Sequence, residues 1–259
     1  MRGFFRRPGV RLGILGFGAY LVFLVVNLPA SWAGFALERA SRGALVLSDT
    51  DGTAWKGSGV LAVRSAGRYR RLADLQWSCN PLWALAGRVN VALSGAARDT
   101  QFRAGMSLRA AGASFQNVEA TAPAAVVEPV FAVAAFAKPE GRLRVRADSL
   151  EIADGRVRGA ATVEWLDAGL SGFQATRLGD YRLQLTGGGD RAEVRLATLR
   201  GDLRLNGEGE WRATQPRVLQ VRGTAEAAAE RKDLEPLMRA LGVRNPGIPQ
   251  SFAWSVPLS

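Results

Sequence analysis

The side chains that could do chemistry in this sequence are few. The chain of 259 residues has no histidine and a single cysteine, Cys79. That removes Ser-His-Asp and Cys-His catalysis, histidine-dependent and cysteine-cluster metal sites, and an intramolecular disulfide. Cys79 reads as a small buried hydrophobe. No GxGxxG or GxxxxGKS/T run is present to cradle a nucleotide phosphate. Two acidic pairs remain, Asp148 with Glu151 and Asp49 with Asp51, with the functional groups for general acid–base work. Both lie in turn-like stretches where acidic residues are common on structural grounds alone. The expectation is a protein that is not an enzyme and carries no cofactor or metal.

Charge points the same way. The net charge is +11, and of 34 basic residues all but three are arginine. They are spread singly along the chain, with no basic tract beyond the N-terminus and no nucleic-acid motif, so no nucleic-acid partner is expected. Arginines spread in this way read first as a solvated face, with attraction to anionic membrane surfaces or acidic partners as the functional alternative.

The elements that position these residues begin with one apolar run, Leu12 to Ala30, interrupted only by Asn27 and Pro29. At a helical rise of ~1.5 Å it spans roughly 28 Å, the thickness of a bilayer's hydrocarbon core. Arg2, Arg6, Arg7 and Arg11 precede it, which predicts a cytoplasmic N-terminus over residues 1–11, a transmembrane helix over 12–30 and an exported domain over 31–259. A cleaved signal peptide, with small residues at Ser31-Trp32-Ala33, is the rival. The length of the run, and Trp32 at the outer interface, favour a retained anchor.

Beyond the anchor, Phe35 to Arg42 ends a short helix before Gly43. The texture then becomes short alternating segments separated by glycine. Gly87-Arg-Val-Asn-Val-Ala-Leu-Ser-Gly95 places its apolar residues on one face only if it is a strand. The same holds for Leu143–Ala147, Tyr181–Leu185, Ala192–Leu196 and Leu203–Leu205, with Val60–Val63, Leu72–Trp77 and Phe252–Val256 as further strands. Asp49-Thr50-Asp51-Gly52 has a turn composition, and Gly187-Gly188-Gly189-Asp190 that of a hairpin loop. Ala124–Ala137 is too short for a span and predicts a buried or sheet-capping helix. Leu234, Leu237, Met238 and Leu241 predict a second helix packed on the sheet, with Asp233 as cap and Gly242 as stop. The fold class expected is mainly β: one transmembrane helix, then a repeated, curved antiparallel sheet with a few short helices.

The repeat shows in Gly87–Gly95 against Gly179–Gly187, in the strand ends Gln76-Trp77 and Glu164-Trp165, and in a partial echo at Gly201–Gly207 with Glu210-Trp211. Two β modules, about 44–120 and 140–259, stacked edge to edge, would produce it. Trp55, Trp77, Trp165, Trp211 and Trp254 read as plugs at the ends of the sheet core, with an apolar groove for a lipid or a partner strand as the functional alternative.

At this point the chain resembles protein N of the bacterial type II secretion system. The resemblance rests on Gly52-Thr53-Ala54-Trp55-Lys56-Gly57, then Leu75-Gln76-Trp77 with Asn80-Pro81 and Leu85-Ala86-Gly87. It continues in Leu178-Gly179-Asp180-Tyr181, in Gly201–Gly207 with Trp211, and in Leu241-Gly242. The residues it singles out are Gly52, Trp55, Gly57, Trp77, Pro81, Gly87, Gly179, Tyr181, Gly201, Gly207 and Trp211. It implies a single-pass protein of a Gram-negative inner membrane, with a periplasmic β domain that scaffolds or stabilises the apparatus exporting folded proteins across the outer membrane. The implied partners are inner-membrane platform proteins and the outer-membrane secretin. The alternative is an AsmA-like module that handles membrane lipid.

Overall fold

Alternation at period two can bury one face of a strand and wet the other, and the chain uses it across its whole length. In a computed structural model, residues 8–65, 68–81, 87–128, 136–173, 175–212, 218–228, 231, 234, 237 and 250–257 are described. Two helices, α1 (Pro8–Val26) and α2 (Ser31–Ala40), lead into a single 13-stranded sheet whose spatial order is the order of the chain. The first six strands are β1 (Leu45–Gly52), β2 (Lys56–Ser65), β3 (Arg68–Cys79), β4 (Arg88–Ala96), β5 (Gln101–Arg109) and β6 (Gly112–Pro123). Three long ones follow, β7 (Pro139–Ala153), β8 (Arg156–Leu170) and β9 (Ala175–Gly189). The last four are β10 (Arg191–Arg200), β11 (Leu203–Arg212), β12 (Val218–Ala227) and β13 (Gln250–Pro257). Every neighbouring pair is antiparallel.

Register makes the sheet amphipathic from end to end. One row of directly opposed residues runs Gly59, Leu75, Gly95, Phe102, Ala120, Val145, Val163, Leu183, Leu196, Gly207, Gly223 and Phe252. The adjacent row, on the opposite face, runs Ser58, Gln76, Ser94, Arg103, Glu119, Arg146, Thr162, Gln184, Arg195, Glu208, Arg222 and Ala253. A one-residue slip at any pair would exchange the two faces, so the register is held by burial along the whole meander. Bulges in β1–β3 and β5–β10 bend strands without breaking this order.

The apolar face has two buried clusters, one toward each edge. Near the first, Ala30, Leu75 and Trp77 gather Leu47, Leu61 and Phe102. Near the last, Leu178, Tyr181, Leu203, Val221 and Phe252 surround Leu234 and Leu237. These two leucines sit on the sheet as the sequence predicted; the rest of the expected helix, including Met238, Leu241 and Gly242, lies outside the described residues. Between the clusters, β6 and β7 pair along their lengths, joining the two stretches read as modules into one sheet.

Several expectations are corrected. The stretch 49–52 does not end a strand: β1 runs through it on a bulge, with Asp49 at φ 48°. An aspartate tolerates that conformation because its short polar side chain bonds locally. The hairpin 187–190 is tighter than expected, since β9 continues to Gly189 and only Asp190 turns. Of Ala124–Ala137, only a 3-10 turn at Ala124–Val127 and the terminal residues 136–137 are helical, with 129–135 outside the described residues. At the N-terminus α1 stops at Val26, short of Ala30. Asn27 caps the helix by donating from its side chain to the Phe23 carbonyl at 2.8 Å, and Pro29 bridges to Thr53. Ala30 is buried in the sheet's first cluster, so residues 28–30 belong to the β domain. Among the described residues, no helix is long and apolar enough to cross a membrane.

Candidate functional site

The motif residues gather into two knots, and the first is the junction of α1 with the sheet. The loop between β1 and β2 is Thr53-Ala54-Trp55, and it grips the helix end at several points. The Trp55 indole donates to the Val25 carbonyl at 2.7 Å, and the Ala54 amide to the Leu28 carbonyl at 2.8 Å. The Ala30 amide returns a bond to Gly52 at 3.2 Å. These partners satisfy carbonyls that a helix C-terminus leaves open. Thr53 holds the loop's own shape, its hydroxyl accepting from the amides of Trp55 and Lys56. Trp77, buried on β3, donates its indole N–H to the Ala54 carbonyl at 3.1 Å. Gly52 adopts φ 91°, and a Cβ on Gly57 would stand 2.5 Å from the Asp51 carbonyl oxygen and 2.6 Å from the Trp77 ring. Both glycines are therefore required by backbone and ring approach.

The second knot lies at the other end of the strands, where β8, β9 and the β10–β11 turn meet. Gly179 and Gly201 abut: a Cβ on Gly201 would lie 2.4 Å from the Gly179 Cα. Between them Asp180, 7% exposed, accepts from the Asp167 amide at 2.7 Å through one oxygen and from the Arg200 guanidinium through the other. Burial pushes this carboxyl up, but the Asp167 amide and Arg200 outweigh it and leave it below its ordinary value. Tyr181 points the opposite way, into the apolar cluster, and donates to the Leu203 carbonyl at 2.9 Å. Burial first, then the nearby Asp180 and Asp202, raise its hydroxyl pKa, so it stays a donor. Trp165 packs beside it at a ring separation of 6.1 Å and donates to the Glu140 carbonyl.

The other motif residues are not drawn into either knot. Pro81 sits just past β3 and Gly87 turns into β4 at φ 70°. Gly207 pairs with Leu196 and Gly223 in mid-sheet. Trp211 lies opposite Ala192 on β11. The Trp211 and Trp254 side chains lie outside the described residues.

Alternation led to the expectation of one buried and one arginine-lined face; what sequence reasoning missed is the glutamates set between those arginines. Register sandwiches Glu119 between Arg103 and Arg146, Glu164 between Arg144 and Arg182, and Glu208 between Arg195 and Arg222. Glu164 makes ion pairs of 3.5 Å with Arg144 and 2.8 Å with Arg182. Each triad carries one surplus positive charge, so the face is basic while its charges alternate. Knowing the register, one could have found these triads from the sequence, because each member sits at a polar position of its strand. The acidic pairs form no such arrangement: Asp49 lies in a bulge near the end of β1 with Asp51 just past it, both solvent-exposed, and Asp148 sits in a bulge of β7. Among the described residues, no group of three or more His, Cys, Asp or Glu could hold a metal ion. Cys79 is half-buried rather than fully buried as expected, and its partial burial raises the thiol pKa, which disfavours the thiolate.

Comparison with known proteins adds one finding. The family model for protein N of the type II secretion system (T2SS) matches residues 43–248. That span runs from just ahead of β1 into the segment before β13, and includes the second knot and the sheet side of the first, but not the end of α1. No curated protein and no solved structure matches the chain.

Proposed function

The chain belongs to the type II secretion system protein N family, and from that membership we propose a non-enzymatic inner-membrane scaffold of the secretion apparatus. In this reading α1 holds the N-terminus in the cytoplasm and the sheet stands in the periplasm. The sheet docks inner-membrane platform proteins and the outer-membrane secretin through its arginine-bearing face and its free edge. The observation that carries the proposal is the amphipathic meander fixed to the end of an apolar helix. Both knots spend their polar groups on holding backbone together rather than on an exposed reactive centre.

The support for an anchor lies in α1 itself. Phe17, Tyr20, Val22, Phe23, Leu24, Val25 and Val26 are all exposed and point around the full circumference. A helix that is apolar on every side needs an apolar surrounding. The sheet's two edges differ. The β1 edge is closed by α2 and by Ser41, whose hydroxyl bonds both the amide and the carbonyl of Leu45. The outer side of β13 has no ladder partner among the described residues, which leaves it open to strand addition. The lipid-handling alternative is not favoured: the family match points to secretion.

Deleting the gene in a strain with a working type II system tests this reading. Secreted exoprotein should fall while its periplasmic pool rises, and the full chain should restore secretion. Unchanged secretion would remove the proposal. Alkaline carbonate washing tests the anchor separately, with the chain expected to stay in the membrane pellet.

A further inference from the structure

On the polar face, an open groove of about 670 Å³ lies at the ends of β2–β6 nearest α1. Its lining includes Lys56, Arg88 and Arg109 and no acidic residue. Arg88 and Arg109 are directly opposed across β4 and β5. Like charges placed so destabilise a sheet unless an anion lies between them. None of the three cations has an ion-pair or hydrogen-bond partner among the described residues, whereas Arg144, Arg182 and Arg200 on the same face all have carboxylate partners. The groove's floor is polar, with Asn90, Ser107, Ser114 and Gln116 along it. Three cations left unpaired among the described residues, over a polar floor, suit an anionic group.

Position decides what that group is. Trp55 lines the groove, and the same indole bonds to the last turn of α1. At the same junction Trp32 and Phe35, 57% and 58% exposed and in edge contact, stand on the outer side of α2 as interfacial aromatics do. We propose that this groove binds the phosphate of an anionic glycerophospholipid headgroup, seating the sheet on the bilayer surface in a fixed orientation. The inference rests on the reading of α1 as an anchor. It concerns a headgroup at one end of the polar face, not acyl chains carried along the sheet.

The test uses the full chain in detergent, with native mass spectrometry counting retained lipid when phosphatidylglycerol or phosphatidylcholine is added. Phosphatidylglycerol should be retained in preference to phosphatidylcholine. The combined change Lys56→Gln, Arg88→Gln and Arg109→Gln should weaken its retention roughly a hundred-fold, from about fivefold per basic group. Arg142→Gln with Arg146→Gln and Arg222→Gln, removing equal charge elsewhere on the sheet, should retain it. Arg109→Gln alone serves as the milder variant if the triple one misfolds, with an expected loss of about fivefold. Equal retention of the two lipids, equal loss in both triple variants, or displacement by inorganic phosphate alone would each overturn the proposal. Carbonate extraction separates the two readings: a wild-type chain that washes off the membrane removes the anchor and this site with it. A chain that stays in the membrane without lipid preference removes the site alone.

Discussion

Gly57 has room for a hydrogen and nothing more, because the Asp51 carbonyl and the Trp77 ring close on it from two sides. Gly57→Ala should therefore cost about 2–3 kcal/mol in urea unfolding, the range for forcing a methyl into a packed site. Tyr181→Phe removes the donor to the Leu203 carbonyl, and leaving that buried acceptor unpaired should cost about 1–2 kcal/mol by the same measurement. Asp180 makes a prediction in pH. Its carboxyl is held below the ordinary value of 3.8, so as pH falls the unfolded chain takes up the proton first. The stabilisation is complete above that value and is lost as pH falls through the lower folded one. The difference in thermal midpoint between wild type and Asp180→Asn should be flat near neutrality and shrink in that acid window. These residues were singled out by motif, yet their roles were not legible. Gly52, Gly57 and Trp77 are distant from α1 in the written pattern, and only the folded loop brings Trp55 to Val25. Asp180 was quoted within the Gly179 motif, but its partners Asp167 and Arg200 lie on neighbouring strands that only register identifies.

At the scale of elements, alternation carried most of the information. Leu143–Ala147, Tyr181–Leu185, Ala192–Leu196 and Leu203–Leu205 all lie within strands, and Gly187–Asp190 joins two of them. Strand lengths were not legible, because β7, β8 and β9 run past their alternating cores through glycines and bulges that look like turns in the sequence. The sequence at 49–52 misled for the same reason: aspartate and glycine suit both a turn and a bulge with positive φ. The apolar run misled at its far end, where Leu28 to Ala30 are as greasy as a membrane helix but serve the sheet. The α1 junction yields a prediction. Trp55→Phe keeps the ring and deletes the indole donor to Val25, which should loosen the helix from the loop. Limited proteolysis between residues 26 and 31 should become several-fold faster while far-UV circular dichroism stays unchanged.

The whole molecule is a slab rather than a ball. Its accessible surface is 17071 Å², against roughly 11,000 Å² for a compact monomer of its mass. Each strand packs chiefly on its sequence neighbours, so stability should behave as a chain of nearest-neighbour terms. Tyr181→Phe should thus lower amide protection over β8–β12 by about tenfold and leave β1–β4 unchanged in hydrogen exchange. Such a shape commits little surface to its own core and leaves much of it free, as the proposed scaffold role would require. In-cell photocrosslinking tests that claim most directly, with a probe at Ala253 on the open β13 edge, a second at Gln184 on the arginine-bearing face and a control at Ser48 beside the closed β1 edge. The account predicts discrete adducts with other type II secretion components from Ala253 or Gln184 and none from Ser48. Absence of any such adduct in cells that are actively secreting would contradict it.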